Sequence, residues 1–315
     1  MTGKEARRYM RRPILTILSL LTASGPLHGQ AVVFRTGIDL VNVAVTVTDR
    51  DGELVTDLTR DDFAITEEEE PQTISYFSRG LERHDETLPL QLGLLFDTSG
   101  SMADDLELSR SAAIKFLNAL PTAETMTLVD FDTEVRVARY GQADFPRLVE
   151  RIRMREPDGW TALYDALGVY LDGATDQTGR KILILYTDGG DTRSAVTFSD
   201  AMDMLRISDV TVYAIGFLEN QRRSDRIAHR QRLSRMSELT GGVAFFPTST
   251  EALDEVYEQI RSEIEARYAL GYIATNSVMD GSWRKVEIAL TDSRRRGLKI
   301  RARPGYFAPY RESEP

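Results

Sequence analysis

Five short apolar runs sit in the middle of this chain, and what separates them decides the fold. LQLGLLF (90–96), TMTLVDF (125–131), KILILYT (181–187), VTVYAIGF (210–217) and VAFFP (243–247) read as strands. Between and after them, LELSRSAAIKFLNAL (106–120), ALYDALGVYLDGA (162–174), SDAMDMLRI (199–207), RIAHRQRLSRMSELT (226–240) and EALDEVYEQIRSEIEARY (251–268) read as amphipathic helices. LGLL and LILY are continuous apolar stretches, which suits strands covered on both faces rather than on one. Strand–helix alternation at this spacing predicts an α/β domain over 88–266 with a doubly wound, mostly parallel sheet. Thr240-Gly241-Gly242 supplies a helix stop before the last strand.

The flanks follow a different period. VNVAVTVTDR (41–50) alternates apolar and polar residues and ends at a DRDG turn, so 31–87 reads as an amino-terminal β segment. The EEEE run at 67–70 reads as a solvated turn. Strands return in 267–315 as YALGYIA, WRKVEIALT, LKIRAR and PGYFAPY, with the SRRR run as a solvated hairpin tip. Pairing of this carboxy-terminal segment with 31–87 would make one smaller all-β domain from both ends of the chain.

Residues 1–30 differ from both zones. Lys4, Arg7, Arg8, Arg11 and Arg12 oppose one acid, Glu5, and precede the apolar stretch Ile14 to Ala23 and then small and turn residues. That order is the order of an export signal. The apolar stretch is short of the roughly 20 residues that span a bilayer. The expected product is exported, to the periplasm, the cell envelope or the medium, with no integral membrane span after cleavage; the alternative is a signal retained as an anchor. The net charge of −10 argues against nucleic-acid binding. The chain has no cysteine and three histidines (His28, His84, His229), which excludes thiolate metal sites, Fe–S clusters and a cysteine nucleophile. Any metal bound here is expected to be hard and oxygen-liganded.

In an open α/β sheet, sites form beyond the carboxyl ends of the strands. Three segments are expected there: Asp97-Thr98-Ser99-Gly100-Ser101, the DGWTALYDAL stretch with Thr161 at a helix start, and YTDGGDTRS with Asp188 just past a strand. Asp97, Ser99, Ser101, Thr161 and Asp188 in them offer two carboxylates and three hydroxyls, and no segment carries a histidine. A hard divalent cation such as Mg²⁺ suits such a set, since it prefers oxygen ligands and keeps several waters. Few negative ligands leave the metal electrophilic, with a position for an acidic group from elsewhere.

DTSGS resembles the DxSxS signature of von Willebrand factor A (vWA) domains, whose metal-ion-dependent adhesion site (MIDAS) adds a later Thr and a later Asp. Thr161 in GWTALYDAL and Asp188 in LYTDGGD stand where that pattern expects them, and the resemblance covers 88–266. The whole chain also looks like bacterial exported vWA-related proteins. The resemblance implies a Rossmann-like domain that binds Mg²⁺ or Mn²⁺ through Asp97, Ser99, Ser101, Thr161 and Asp188 and engages protein ligands; it does not imply catalysis.

Blander roles compete for each residue. Asp97, Ser99, Ser101 and Thr161 are all helix-capping types. Asp191 reads as a solvated loop residue, or else as an acceptor behind the ligands or a partner contact. Asp130 and Asp132 read as surface acids near a strand end, with one of them close to the site as the alternative. Trp160, beside Thr161, is expected to pack under its loop, and if exposed would anchor a partner. Adhesion or assembly through an acidic side chain of a protein ligand is the leading function. An envelope scaffold whose metal only ties loops together is the alternative, and metal-assisted phosphoryl transfer the third. Lys181 and Arg180 begin a strand and belong at the far edge, which leaves Arg193 as the cation of the three loops. A serine hydrolase lacks its G-x-S-x-G and a suitable histidine, His229 falling within a helix.

Overall fold

The period-two pattern near the amino terminus produces β1 (Leu40–Thr48), followed by β2 (Phe63–Glu67), β3 (Glu70–Gln72) and β4 (Ile74–Arg79). The computed structural model describes residues 40–80, 89–119, 123, 125–292 and 297–310. The expected export signal and the SRRR run at 293–296 lie outside the described residues.

The middle of the chain alternates as its sequence implies. β5 (Leu90–Asp97) leads through a turn to α1 (Leu106–Ala119), and then to β6 (Thr125–Phe131), β7 (Val135–Gly141) and α2 (Phe145–Arg153). After α3 (Leu163–Thr175) come β8 (Arg180–Thr187), α4 (Phe198–Ile207), β9 (Thr211–Gly216), α5 (Arg223–Leu239), β10 (Ala244–Phe245) and α6 (Thr250–Ala266). The chain closes with β11 (Tyr268–Ile273), β12 (Trp283–Leu290), β13 (Lys299–Ala302) and β14 (Gly305–Phe307).

The central sheet has the order β10-β9-β8-β5-β6-β7. Its pairs are parallel except β6–β7, an antiparallel hairpin at one edge. All eight residues of β5 are buried. Leu92, Leu94 and Phe96 share one core with Ile184, Tyr186, Phe116 of α1 and Ile260 of α6. Leu95, Leu183 and Leu185 share the opposite core with Leu167 of α3 and Leu205 of α4. Two covered faces are why these strands read as unbroken apolar runs.

Gly93 makes that covering possible. A Cβ at this position would lie 2.2 Å from the ring of Tyr170 on α3, itself buried at 2% exposure. Gly93→Ala should therefore destabilise by about 1–3 kcal/mol through overpacking, measured as a lower denaturation midpoint at unchanged slope.

The two ends of the chain do pair. β1 lies between β13 and β11 in the sheet β13-β1-β11-β4, and β2 lies between β12 and β3 in β14-β12-β2-β3. Registers such as Ala44↔Ala269 and Ile65↔Ile288 interlock segments more than 200 residues apart. Val43, Val45, Val47, Phe63, Ile65, Tyr268, Leu270 and Tyr272 form their shared core.

Some local expectations are overturned. Glu68 and Glu69 do turn the chain, both at positive φ (49° and 70°). Glu67, from the same EEEE run, is 2% exposed and accepts hydrogen bonds from the hydroxyls of Tyr272 (2.8 Å) and Tyr306 (2.9 Å). Phe63 and Ile65 point inward, and the period of two carries Glu67 inward with them. The strand expected at 243–247 is reduced to Ala244–Phe245. β7 and α2 fill a stretch where no element was expected. β7 carries Arg136 and Arg139 at an edge, and α2 buries Leu148 and Ile152 among four charged residues.

Candidate metal centre

β5 ends on Asp97, and the first turn beyond it is organised by that carboxylate. Asp97 Oδ1 accepts from the Ser99 backbone N–H (2.9 Å) and from Ser99 Oγ (2.6 Å). Ser99 Oγ lies 3.1 Å from Ser101 Oγ. Gly100–Met102 form a single 3₁₀ turn, pinned by the fully buried Met102. From β8, Thr187 Oγ1 donates to Asp97 Oδ2 at 2.6 Å, while accepting from the Gly189 N–H.

Backbone bonds tie the other two loops to this one. Gly100 N–H donates to Gly159 O (3.1 Å), and Asp158 N–H to Thr98 O (3.0 Å). Gly159 is required here: its φ is +70°, and a Cβ would lie 2.3 Å from Thr133 Oγ1. Thr133 Oγ1 also accepts from the Trp160 N–H at 2.9 Å. Thr161 O then accepts from the backbone of Thr192 (2.9 Å) and Arg193 (3.0 Å), drawing in the loop after β8. In that loop Asp188 Oδ1 accepts from the Gly190 N–H at 2.9 Å.

The structure thus brings Asp97, Ser99, Ser101, Thr161 and Asp188 to one end of the sheet. Asp97 and Ser99 are fully buried, Thr161 and Asp188 are 4% and 6% exposed, and Ser101 is exposed. Burial raises the Asp97 pKa to about 7; the negative charge of Asp188 pushes the same way, against hydrogen bonds from Ser99 and Thr187. Neither carboxylate forms an ion pair with a basic side chain among the described residues. Two neighbouring buried acids with hydroxyls and no cation fit a hard divalent ion, which would supply the missing positive charge.

Other expectations change. Trp160 does not pack under its loop; it is 64% exposed beside Thr161. Asp191 is half-buried and accepts from Ser194 Oγ (2.6 Å) and the Tyr164 N–H (3.3 Å), fixing the start of α3. Asp130 is not a surface acid but fully buried, with Arg151 at 2.6 Å, Arg155 at 2.8 Å and Arg136 at 3.4 Å. Asp132, half-buried, pairs with Arg136 at 2.7 Å.

Residues absent from the sequence reading also support the loops. Thr187 is one; its neighbour Asp188 was visible as a loop acid, but its own inward orientation depends on strand register. His229, on α5 as expected, places Nδ1 3.1 Å from both Asp188 O and Gln221 Oε1, and Gln221 Nε2 donates to Asp188 O at 2.6 Å. These contacts hold the Asp188 backbone rather than any reacting group. Lys181 sits at the opposite end of the sheet, paired with Asp209 at 2.9 Å.

The von Willebrand factor type A domain family matches residues 92–259, more than half of the chain. No curated protein matches it. Similar solved structures include the PilB minor pilin from Streptococcus sanguinis, at 16% identity over 58% of this chain and 63% of that one (TM-score 0.47). The chain therefore spans less than two thirds of that pilin's length. The vWF domain of the type V pili tip protein Mfa5 from Porphyromonas gingivalis is 13% identical over 56% of this chain and 97% of its own (TM-score 0.47). A von Willebrand factor type A protein from Catenulispora acidiphila is 13% identical over 82% and 76% (TM-score 0.47).

Proposed function

This chain belongs to the von Willebrand factor type A domain family, and from that premise we propose that it is an exported protein-binding module that captures an acidic side chain of a partner through Mg²⁺ or Mn²⁺. Asp97, Ser99, Ser101, Thr161 and Asp188 would hold the ion, whose remaining coordination would accept a carboxylate from outside. The reading is carried by one observation: two adjacent, buried carboxylates, ringed by hydroxyls and without a basic partner among the described residues. Export is supported by the basic–apolar–small order of residues 1–30. Among the described residues no helix is long and apolar enough to cross a membrane.

Trp160 gives the rim an apolar contact next to the ion, where a partner's surface would meet it. Exposed aromatics at the centre of a contact commonly dominate its energy. Trp160→Ala should leave folding stability within about 0.5 kcal/mol, because the ring is mostly solvated. The same change should weaken partner binding roughly tenfold or more.

The test is capture of partners from the native envelope by the immobilised chain in Mg²⁺, with elution by EDTA. Partners retained in Mg²⁺ and released by EDTA, and absent with Asp97→Ala, support the proposal. Partners held equally with and without EDTA would instead make the ion a loop tie.

A further inference from the structure

The end of the central sheet away from the candidate metal centre holds a second cluster of charged side chains. There the starts of β8 and β9 meet β1, β11 and the approach to β14 around a cavity of about 60 Å³. Its lining carries Arg180, Lys181, Arg206, Arg267 and Arg303 against the single acid Asp209. Three of these cations have carboxylates: Lys181 pairs with Asp209 at 2.9 Å, Arg206 with Asp203, and Arg267 lies 3.8 Å from Glu263.

Arg180 and Arg303 do not. Among the described residues Arg180 donates to Gly80 O at 2.7 Å and Arg303 to Gly305 O at 2.7 Å, the Arg303 guanidinium also lying 5.9 Å from the Tyr306 ring. Neither has an ion-pair partner among the described residues. A guanidinium has five N–H donors, so most of their capacity is open to solvent or to a ligand. Burial lowers both pKa values. Asn42, on β1, lines the same cavity, and its Oδ1 is buried without a hydrogen-bond partner.

We infer that this cavity binds a small tetrahedral oxyanion, phosphate or sulfate, gripped by Arg180 and Arg303 with the Asn42 amide turned to donate. Guanidinium forks match oxyanions geometrically and supply charge-assisted bonds. The size agrees: at about 10–15 Å³ for each water-sized occupant, the space takes roughly four to six heavy atoms. A drug-sized ligand would need several hundred Å³. Because Arg180 opens β8 whereas Asn42 and Arg303 belong to the terminal β segments, the anion would tie the α/β body to those sheets.

The experiment is a thermal-shift titration of the full chain with phosphate, and separately with sulfate, in EDTA at ionic strength fixed with potassium chloride. Chelation removes the metal centre from the response. At tenfold over the dissociation constant, either anion should raise Tm by roughly 3 °C, and each further tenfold should add about as much again. The double substitution Arg180→Gln and Arg303→Gln should abolish the rise. A rise matched by chloride alone, or unchanged in the double variant, overturns the inference. Should that variant fail to fold, ³¹P line broadening of phosphate by the unaltered chain decides: saturable broadening reversed by sulfate supports the site, and its absence overturns it.

Discussion

Replacing Asp97 with Asn is expected to stabilise the metal-free protein above pH 7 while abolishing its response to magnesium. The two effects have opposite signs because one carboxylate causes both. Asp97 is fully buried, its pKa rises from 3.8 to about 7, and burial is the largest cause, followed by Asp188. A raised carboxylate pKa means that the folded chain holds this proton more tightly than the unfolded chain. The penalty is therefore absent below about pH 4, grows as pH rises through the interval, and is complete above about pH 7. Three units correspond to about 4 kcal/mol at most. Asn keeps the shape, removes the charge and recovers part of that sum. Binding of a divalent ion requires the ionised carboxylate, so the Mg²⁺-induced rise in Tm should be large at pH 8 and should fade below about pH 7. Denaturant titrations in EDTA at pH 8, with and without the substitution, check the first half. An Asn variant less stable than the parent, or one still stabilised by Mg²⁺, would contradict the account.

Asp130→Ala should be the most damaging single change near this end of the sheet. The carboxylate is fully buried and receives Arg151, Arg155 and Arg136 at 2.6, 2.8 and 3.4 Å. Its loss leaves three guanidiniums converging, with Asp132 (2.7 Å) and the exposed Glu134 (3.6 Å) opposite Arg136. Breaking a buried ion pair by removing one partner commonly costs 3–5 kcal/mol. These arginines are 24–30% exposed, so partial escape to solvent favours the lower figure. A loss of about 3 kcal/mol corresponds to a fall in Tm of roughly 6–12 °C. A fall below about 2 °C would show that the cluster contributes little to folding.

The contrast between these two acids shows what the sequence could and could not reveal. Asp97 ends an apolar strand, Thr161 precedes a helix, and Asp188 follows a second strand, so chain position alone sends all three to one edge of a parallel sheet. Ser99 and Ser101 follow from their spacing after Asp97. Asp130 also ends a strand, yet two of its partners, Arg151 and Arg155, come from α2 and the residues just after it, and α2 was not expected. Without that helix a lone strand-end acid reads as surface. Trp160 depends on backbone geometry: the positive φ of Gly159 and the bond to Thr133 Oγ1 turn the ring outward, against its hydrophobicity. Glu67 failed for a different reason. Four consecutive glutamates look like one solvated turn, but strand period carries the first of them inward to two tyrosines whose positions lie more than 200 residues away. The doubly wound sheet was legible because each element announces its own period. The partners of Glu67, and Arg151 and Arg155 around Asp130, come from elements distant in the chain, which no local pattern encodes.

The most direct measurement is anomalous diffraction at the manganese edge from crystals grown with Mn²⁺. The account predicts one strong peak at the carboxyl end of β5, with oxygens drawn from Asp97, Ser99, Ser101, Thr161 and Asp188 at about 2.0–2.2 Å, directly or through water. A site without a peak while the three loops stay ordered, or a peak held by other residues, would contradict it.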